Sequence, residues 1–224
     1  MTHDVLDRDT ARLESFSDAA FAFVATLLVV SIEVPRDFAE LVDRVSAFPG
    51  FAIGFVILLL FWARHRAFFR RFGHYDTSVL FANGVVLFAL LFFVFPLKWT
   101  TNLVLGRLFH LDIGSAGALT LRTVDELSTL FQLFAAGFAA LFGGFLLLYL
   151  CAWRRRNALA TTPAARARIA FEVRQNTFAV ALALVSVMLS RQGISLQSGL
   201  PLWLLAGLVP LRWLHVRLSP PMMS

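Results

Sequence analysis

Charge is what this sequence has least of. Only 15% of its 224 residues are Asp, Glu, Lys or Arg, against about 25% in soluble domains, so an ordinary soluble domain is excluded. Lysine is almost missing: Lys98 is alone among 20 basic residues. The net charge of +6 therefore rests on arginines, and these sit between apolar runs. That placement is a membrane-topology signal rather than a nucleic-acid-binding stripe. Cys151 is the one cysteine, so no intrachain disulfide is possible. It falls in an apolar run, where a free thiol behaves as a small buried hydrophobe. No cleavable secretory leader is expected either, since the opening MTHDVLDRDTARLE is acidic and no small-residue cleavage site follows. The first apolar segment is thus expected to stay in the mature protein. The histidines, His3, His65, His74, His110 and His215, show no metal-ligand spacing. There is no phosphate-binding glycine loop and no Ser, His and carboxylate set. No metal, no cofactor and no enzymatic chemistry are expected.

What is present is apolar. The chain is 58% hydrophobic, with 24 Phe. Runs of about 20 apolar residues are long enough to cross a bilayer. They predict an all-α, polytopic membrane protein, one domain over 1–224, with six spans at about 16–35, 48–69, 77–97, 127–153, 169–190 and 200–216. With the N-terminus inside, 14 of the basic residues fall in inner loops and 6 in outer ones. This asymmetry places both termini in the cytoplasm. The longest connection, 98–126, contains Leu103, Leu105, Leu108, Phe109 and Leu111, a pattern suited to a short interfacial helix. Gly114 to Gly117 then reads as a turn. Gly143 and Gly144 suit close helix packing. The fifth span begins with Glu172, Arg174, Gln175 and Asn176, expected as a snorkelling helix end. No unpaired carboxylate sits clearly at the centre of a span, which weighs against a proton-coupled transporter.

The first span, FSDAAFAFVATLLVVSIEVP, carries polar residues at odd depths. Read with its upstream arginine it is Arg12-x-x-x-Phe16-Ser17-Asp18. A second block follows: Phe51-Ala52-Ile53-Gly54-Phe55, then Phe61-Trp62-Ala63-Arg64-His65-Arg66. Together with the third span, YDTSVLFANGVVLFALLFFVFP, these closely resemble the transmembrane-protein-175 family of potassium channels over roughly residues 12–97. The resemblance implies one six-helix unit per subunit, a homotetramer, and a pore lined by the four first helices. It also implies a constriction of hydrophobic side chains instead of the Thr-Val-Gly-Tyr-Gly carbonyl filter, which this sequence lacks.

Each helical residue advances about 100°, so Phe23, Thr26, Leu27 and Val30 share one face. By resemblance Phe23 matches the narrowest hydrophobic ring, Thr26 the polar layer a turn above it, and Val30 the next ring. Family members usually have isoleucine or leucine where this chain has Phe23. Thr26 has a plainer reading from spacing alone, a hydroxyl bonded to the carbonyl one turn back; the resemblance favours contact with the ion. Asp18 has two readings, a carboxylate gathering cations or one link of a network of Arg12, Phe16, Ser17, Asp18, Trp62 and His65. The resemblance favours the network. Glu33 either attracts cations or is a solvated helix end, and Pro35 and Arg36, which follow at once, favour the second.

The resulting expectation is a passive potassium-selective or potassium-permeable channel in the prokaryotic plasma membrane. Its partners are potassium ions, the lipid bilayer and three further copies of itself, with no nucleic acid. The alternatives are a proton or non-selective cation leak of the same fold, a secondary transporter, or a non-conducting scaffold sealed at Phe23.

Overall fold

A computed structural model describes residues 2–30, 35–46, 48–73, 76–109, 123–159 and 162–191. The expected sixth span, 200–216, lies outside these residues, as do 31–34 of the first span and 110–122 of the long connection. Among the described residues the secondary structure is entirely helical. The helices are α1 (Thr2–Val30), α2 (Phe38–Ser46), α3 (Phe48–Phe72), α4 (Thr77–Phe109), α5 (Val124–Arg154), the single turn α6 (Arg156–Leu159) and α7 (Pro163–Arg191). By length and composition α3, α4 up to Gly106, α5 and α7 can cross a membrane.

Local chemistry sets several of the helix starts. Thr123 Oγ1 accepts from the Glu126 amide, and Glu126 Oε2 accepts from the Thr123 amide, closing a capping box at the head of α5. Thr162 Oγ1 accepts from the Ala165 amide before α7, whose first residue is Pro163, where a missing N–H costs nothing. At α2 the Asp37 carboxylate takes the Glu40 amide at 2.8 Å.

Two boundaries differ from the sequence expectation. The first helix begins at Thr2, well before residue 16, because the charged N-terminal residues continue the helix rather than interrupt it. The third span does not stop near Pro96. α4 runs through it to Phe109, so the expected separate interfacial helix is, up to Phe109, the last turns of α4. A proline ring frees the carbonyl four residues back, yet spanning helices accept this when neighbours re-satisfy the backbone. Beyond the proline, Thr101 Oγ1 donates to the Leu97 carbonyl at 3.0 Å and lies 3.3 Å from the Gly50 carbonyl, which links α4 to α3. The Asn102 side chain sits where a β-carbon on Gly50 would stand, which brings α3 and α4 together beyond the proline.

The helices alternate in direction, with α4 and α5 the most enclosed. A β-carbon on Gly144 would lie 3.0 Å from the Val86 backbone nitrogen, so α4 and α5 touch nearly backbone to backbone. One turn-pair away, Gly137 faces Phe93. Such close approach supplies packing attraction where lipid removes the hydrophobic drive between helices. α7 covers the other side of α5, and Ser128 Oγ donates to the Ser190 carbonyl at 2.8 Å. α1 and α3 pack on the remaining side of α4. Phe61 of α3 sits among Phe93, Phe142 and Phe145 at ring separations of 6.0, 5.7 and 6.2 Å. Phe81, Phe88 and Phe95 of α4 and Leu184 and Met188 of α7 are exposed on the outside of the bundle.

Candidate functional site

α1 has one buried stripe and one bare one. Leu13, Ser17, Phe21, Val24 and Leu28 are buried, at spacings of three and four that trace one helical face. All but Ser17 are apolar. Its hydroxyl donates to the Leu13 carbonyl at 2.8 Å, which leaves its lone pairs to accept. The Asn83 amide of α4 fills that role, donating to Ser17 Oγ at 2.9 Å. With its NH2 so committed, Asn83 presents its carbonyl oxygen to His65 Nε2 of α3, 2.7 Å away. The imidazole must then carry its proton on Nε2. Its ring is held between Phe21 at 5.4 Å and Phe69 at 4.8 Å. Ser17, Asn83 and His65 are all buried. The chain of bonds therefore joins α1, α4 and α3 inside the bundle, where few competing partners exist.

A second link lies one residue on. Trp62 Nε1 of α3 donates to Asp18 Oδ1 at 2.8 Å. A charged acceptor makes this the stronger kind of hydrogen bond. The Arg66 guanidinium lies 5.5 Å above the Trp62 ring. Ser17, Asp18, Trp62 and His65 are thus brought together. Arg12 and Phe16 are exposed. Asn83 is the hub, and sequence reasoning passed over it. Its signal was present: a lone amide in the apolar run of a span (FANGVVLF), where polar residues are sparse and act between helices.

The bare stripe lies opposite. Thr26 is exposed, almost diametrically across the helix from the buried one. Its hydroxyl donates to the Ala22 carbonyl at 3.0 Å. This is the bond of the plainer reading, a hydroxyl tied to the carbonyl one turn back. Phe23 is 56% exposed and Leu27 is half-buried. The side chain of Val30 is outside the described residues. Phe23 and Thr26 therefore project from the subunit, on a helix whose other face is hydrogen-bonded in place.

The polar start of the fifth span corrects its expectation. Glu172 and Asn176 do not snorkel to an edge; both are buried. Arg64 of α3, counted above among the loop arginines, is 4% exposed. Its Nη2 lies 3.1 Å from Glu172 Oε2 and 2.7 Å from Asn176 Oδ1. A charge can be carried this deep because an opposite charge and an amide meet it there. Arg174, on the same turn, is exposed.

The model of the family described as endosomal/lysosomal potassium channel TMEM175 matches residues 12–94. That stretch begins at Arg12 and takes in every residue of the Ser17–Asn83–His65 chain. A potassium channel of Marivirga tractuosa is 30% identical over 155 residues, 68% of this chain and 63% of that protein. A potassium channel of Chamaesiphon minutus is 33% identical over 110 residues, 46% of this chain and 52% of that protein. The chain thus spans less than two thirds of the length of either relative. A crystal structure of a variant of the potassium channel MtTMEM175, in complex with a nanobody–MBP fusion protein, matches with a TM-score of 0.76 at 26% identity. It covers 92% of this chain and 91% of that one.

Proposed function

This chain belongs to the TMEM175 family, and from that premise we propose that it forms a passive, potassium-permeable channel on the axis of a homotetramer. The observation that carries the reading is the two-sidedness of α1. One face is buried and tied to α3 and α4 by hydrogen bonds, while Phe23 and Thr26 stand free on the other. A symmetric ring of such helices turns a bare stripe into a channel lining.

In this reading potassium moves down its gradient without covalent chemistry. Four Phe23 side chains form the narrowest hydrophobic ring, which resists entry by expelling water. Four Thr26 hydroxyls, one turn on, offer oxygen lone pairs that replace part of the lost hydration shell. Leu27 and Val30 complete the lining. The bonds from Asp18 to Trp62 and from Ser17 through Asn83 to His65 hold each α1 at a fixed rotation, so that the two rings keep their register. The subunit spans the prokaryotic plasma membrane six times, with both termini in the cytoplasm.

Single-channel recording of the purified protein in planar bilayers tests the proposal. Discrete unitary currents reversing near the potassium equilibrium potential are expected under opposed potassium and sodium gradients. Reversal at the proton or sodium potential would replace potassium by another cation. The absence of unitary events would remove the channel altogether.

A further inference from the structure

We propose that the buried Arg64–Glu172–Asn176 cluster is a positioning device that couples α7 to the pore-lining helix α1 through α3. The inference rests on the channel reading above. It starts from the two faces of α3. Trp62 and His65 point toward α1 and α4, where they bond to Asp18 and Asn83. Arg64 lies between them in sequence but about 100–160° away around the helix. It points past α5 to α7, with its guanidinium carbon 5.2 Å from the Phe142 ring centre and 4.9 Å from that of Phe145.

The guanidinium makes two contacts on α7, one turn apart, at 3.1 Å to Glu172 and 2.7 Å to Asn176. Asn176 is itself oriented, since its NH2 donates to the Glu172 backbone carbonyl at 2.7 Å and its oxygen is thereby aimed at Arg64. One nitrogen, Nη2, meets both acceptors while the guanidinium plane lies against Phe142 and Phe145, which sets both the distance and the rotation of α3 relative to α7. A shift of α7 is then carried to α3. From α3 it reaches α1 through the two links at Ser17 and Asp18. Stability alone does not account for such a cluster, because a well-packed apolar pair of similar volume is commonly as stable as a buried ion pair. Ionisable residues within spanning segments are instead the ones that carry function.

The test uses the full-length protein in planar bilayers, beside its unfolding in mixed detergent. Three variants are compared: Arg64→Lys, Glu172→Gln and the apolar double variant Arg64→Met with Glu172→Met. Lysine keeps the buried charge but loses the planar group that lies against Phe142 and Phe145 and fixes where the donor sits, so Arg64→Lys folds while its open probability shifts by about tenfold, the usual scale of coupling between sites. The double variant regains the unfolding midpoint lost in Glu172→Gln, yet its open probability stays shifted. Unitary conductance and reversal potential are unchanged in all three, because none touches the pore lining. Open probability that returns with stability in the double variant, or that is unaltered in Arg64→Lys, overturns the coupling and leaves a purely structural ion pair. A wild-type protein without current defeats the channel reading instead, which separates the two failures.

Discussion

Replacing Asn83 with leucine removes the hub of the bonds that fix α1. The side chain is 1% exposed, so water does not substitute for what is lost. Two bonds go, at 2.9 Å to Ser17 and 2.7 Å to His65. The consequences are unequal. Ser17 still donates to Leu13, so its loss resembles that of an average interhelical bond in a membrane, about 0.6 kcal/mol. The His65 Nε2–H becomes a buried donor without a partner, which costs about 1–3 kcal/mol. Leucine has nearly the shape of asparagine and leaves little cavity. The expected destabilisation is therefore about 2–4 kcal/mol, read from reversible unfolding in mixed detergent micelles. Adding Ser17→Ala to the Asn83→Leu protein should cost less than in the wild-type background, because its bond to Asn83 is already absent and only the bond to Leu13 within α1 remains to be lost. The reference is Thr177→Val, which removes an exposed hydroxyl that donates to the Val173 carbonyl within α7. If Asn83→Leu costs no more than this control, the network does not hold α1 and the reasoning fails.

Further outcomes follow from the same geometry. Gly144→Ala places a methyl 2.8 Å from Val86 Cγ2 and 3.0 Å from its backbone nitrogen, so α4 and α5 must part at a cost of about 1–3 kcal/mol. Gly143→Ala meets nothing within 4 Å and should be neutral or mildly stabilising in the same unfolding assay, since alanine is the better helix former. Asp18→Asn keeps an oxygen for Trp62 but loses its charge. Tetramer yield or open probability should fall while the reversal potential holds, and a changed selectivity with normal assembly would count against the anchoring role. Thr26→Val removes the outward oxygen at nearly constant volume. The potassium-to-sodium permeability ratio should drop, and an unaltered ratio would take Thr26 out of ion selection.

The spanning helices were largely legible because long apolar runs leave no other structure available. The expected 48–69, 127–153 and 169–190 became Phe48–Phe72, Val124–Arg154 and Pro163–Arg191. Hydropathy misses the ends that charged residues extend, as at Thr2, and it treats Pro96 as a stop although a spanning helix can continue through a proline. The short amphipathic α2 escaped notice because nine residues give too little periodicity to stand out between two spans. Within the site, the motif pointed to Asp18 and Trp62, which form a direct bond. It gave no hint of Asn83, which depends on a third helix. The pairing of Arg64 with Glu172 was illegible for a stronger reason. The residues are 108 positions apart, and each alone resembles the commonplace charge at a membrane edge. Only the packing of α3, α5 and α7 reveals that they share one buried point.

The central claim is that the bare face of α1 lines the path of the ion. Thr26 of α1 and Phe88 of α4 are both exposed on the isolated subunit, Phe88 by 76%, yet the account sends one to the pore and the other to lipid. Single cysteines at these two positions, in a Cys151→Ser background, separate the roles when a water-soluble thiol reagent is applied during single-channel recording. Current through the position-26 variant should be blocked and the position-88 variant should be unaffected. Block at 88 with none at 26 would contradict it.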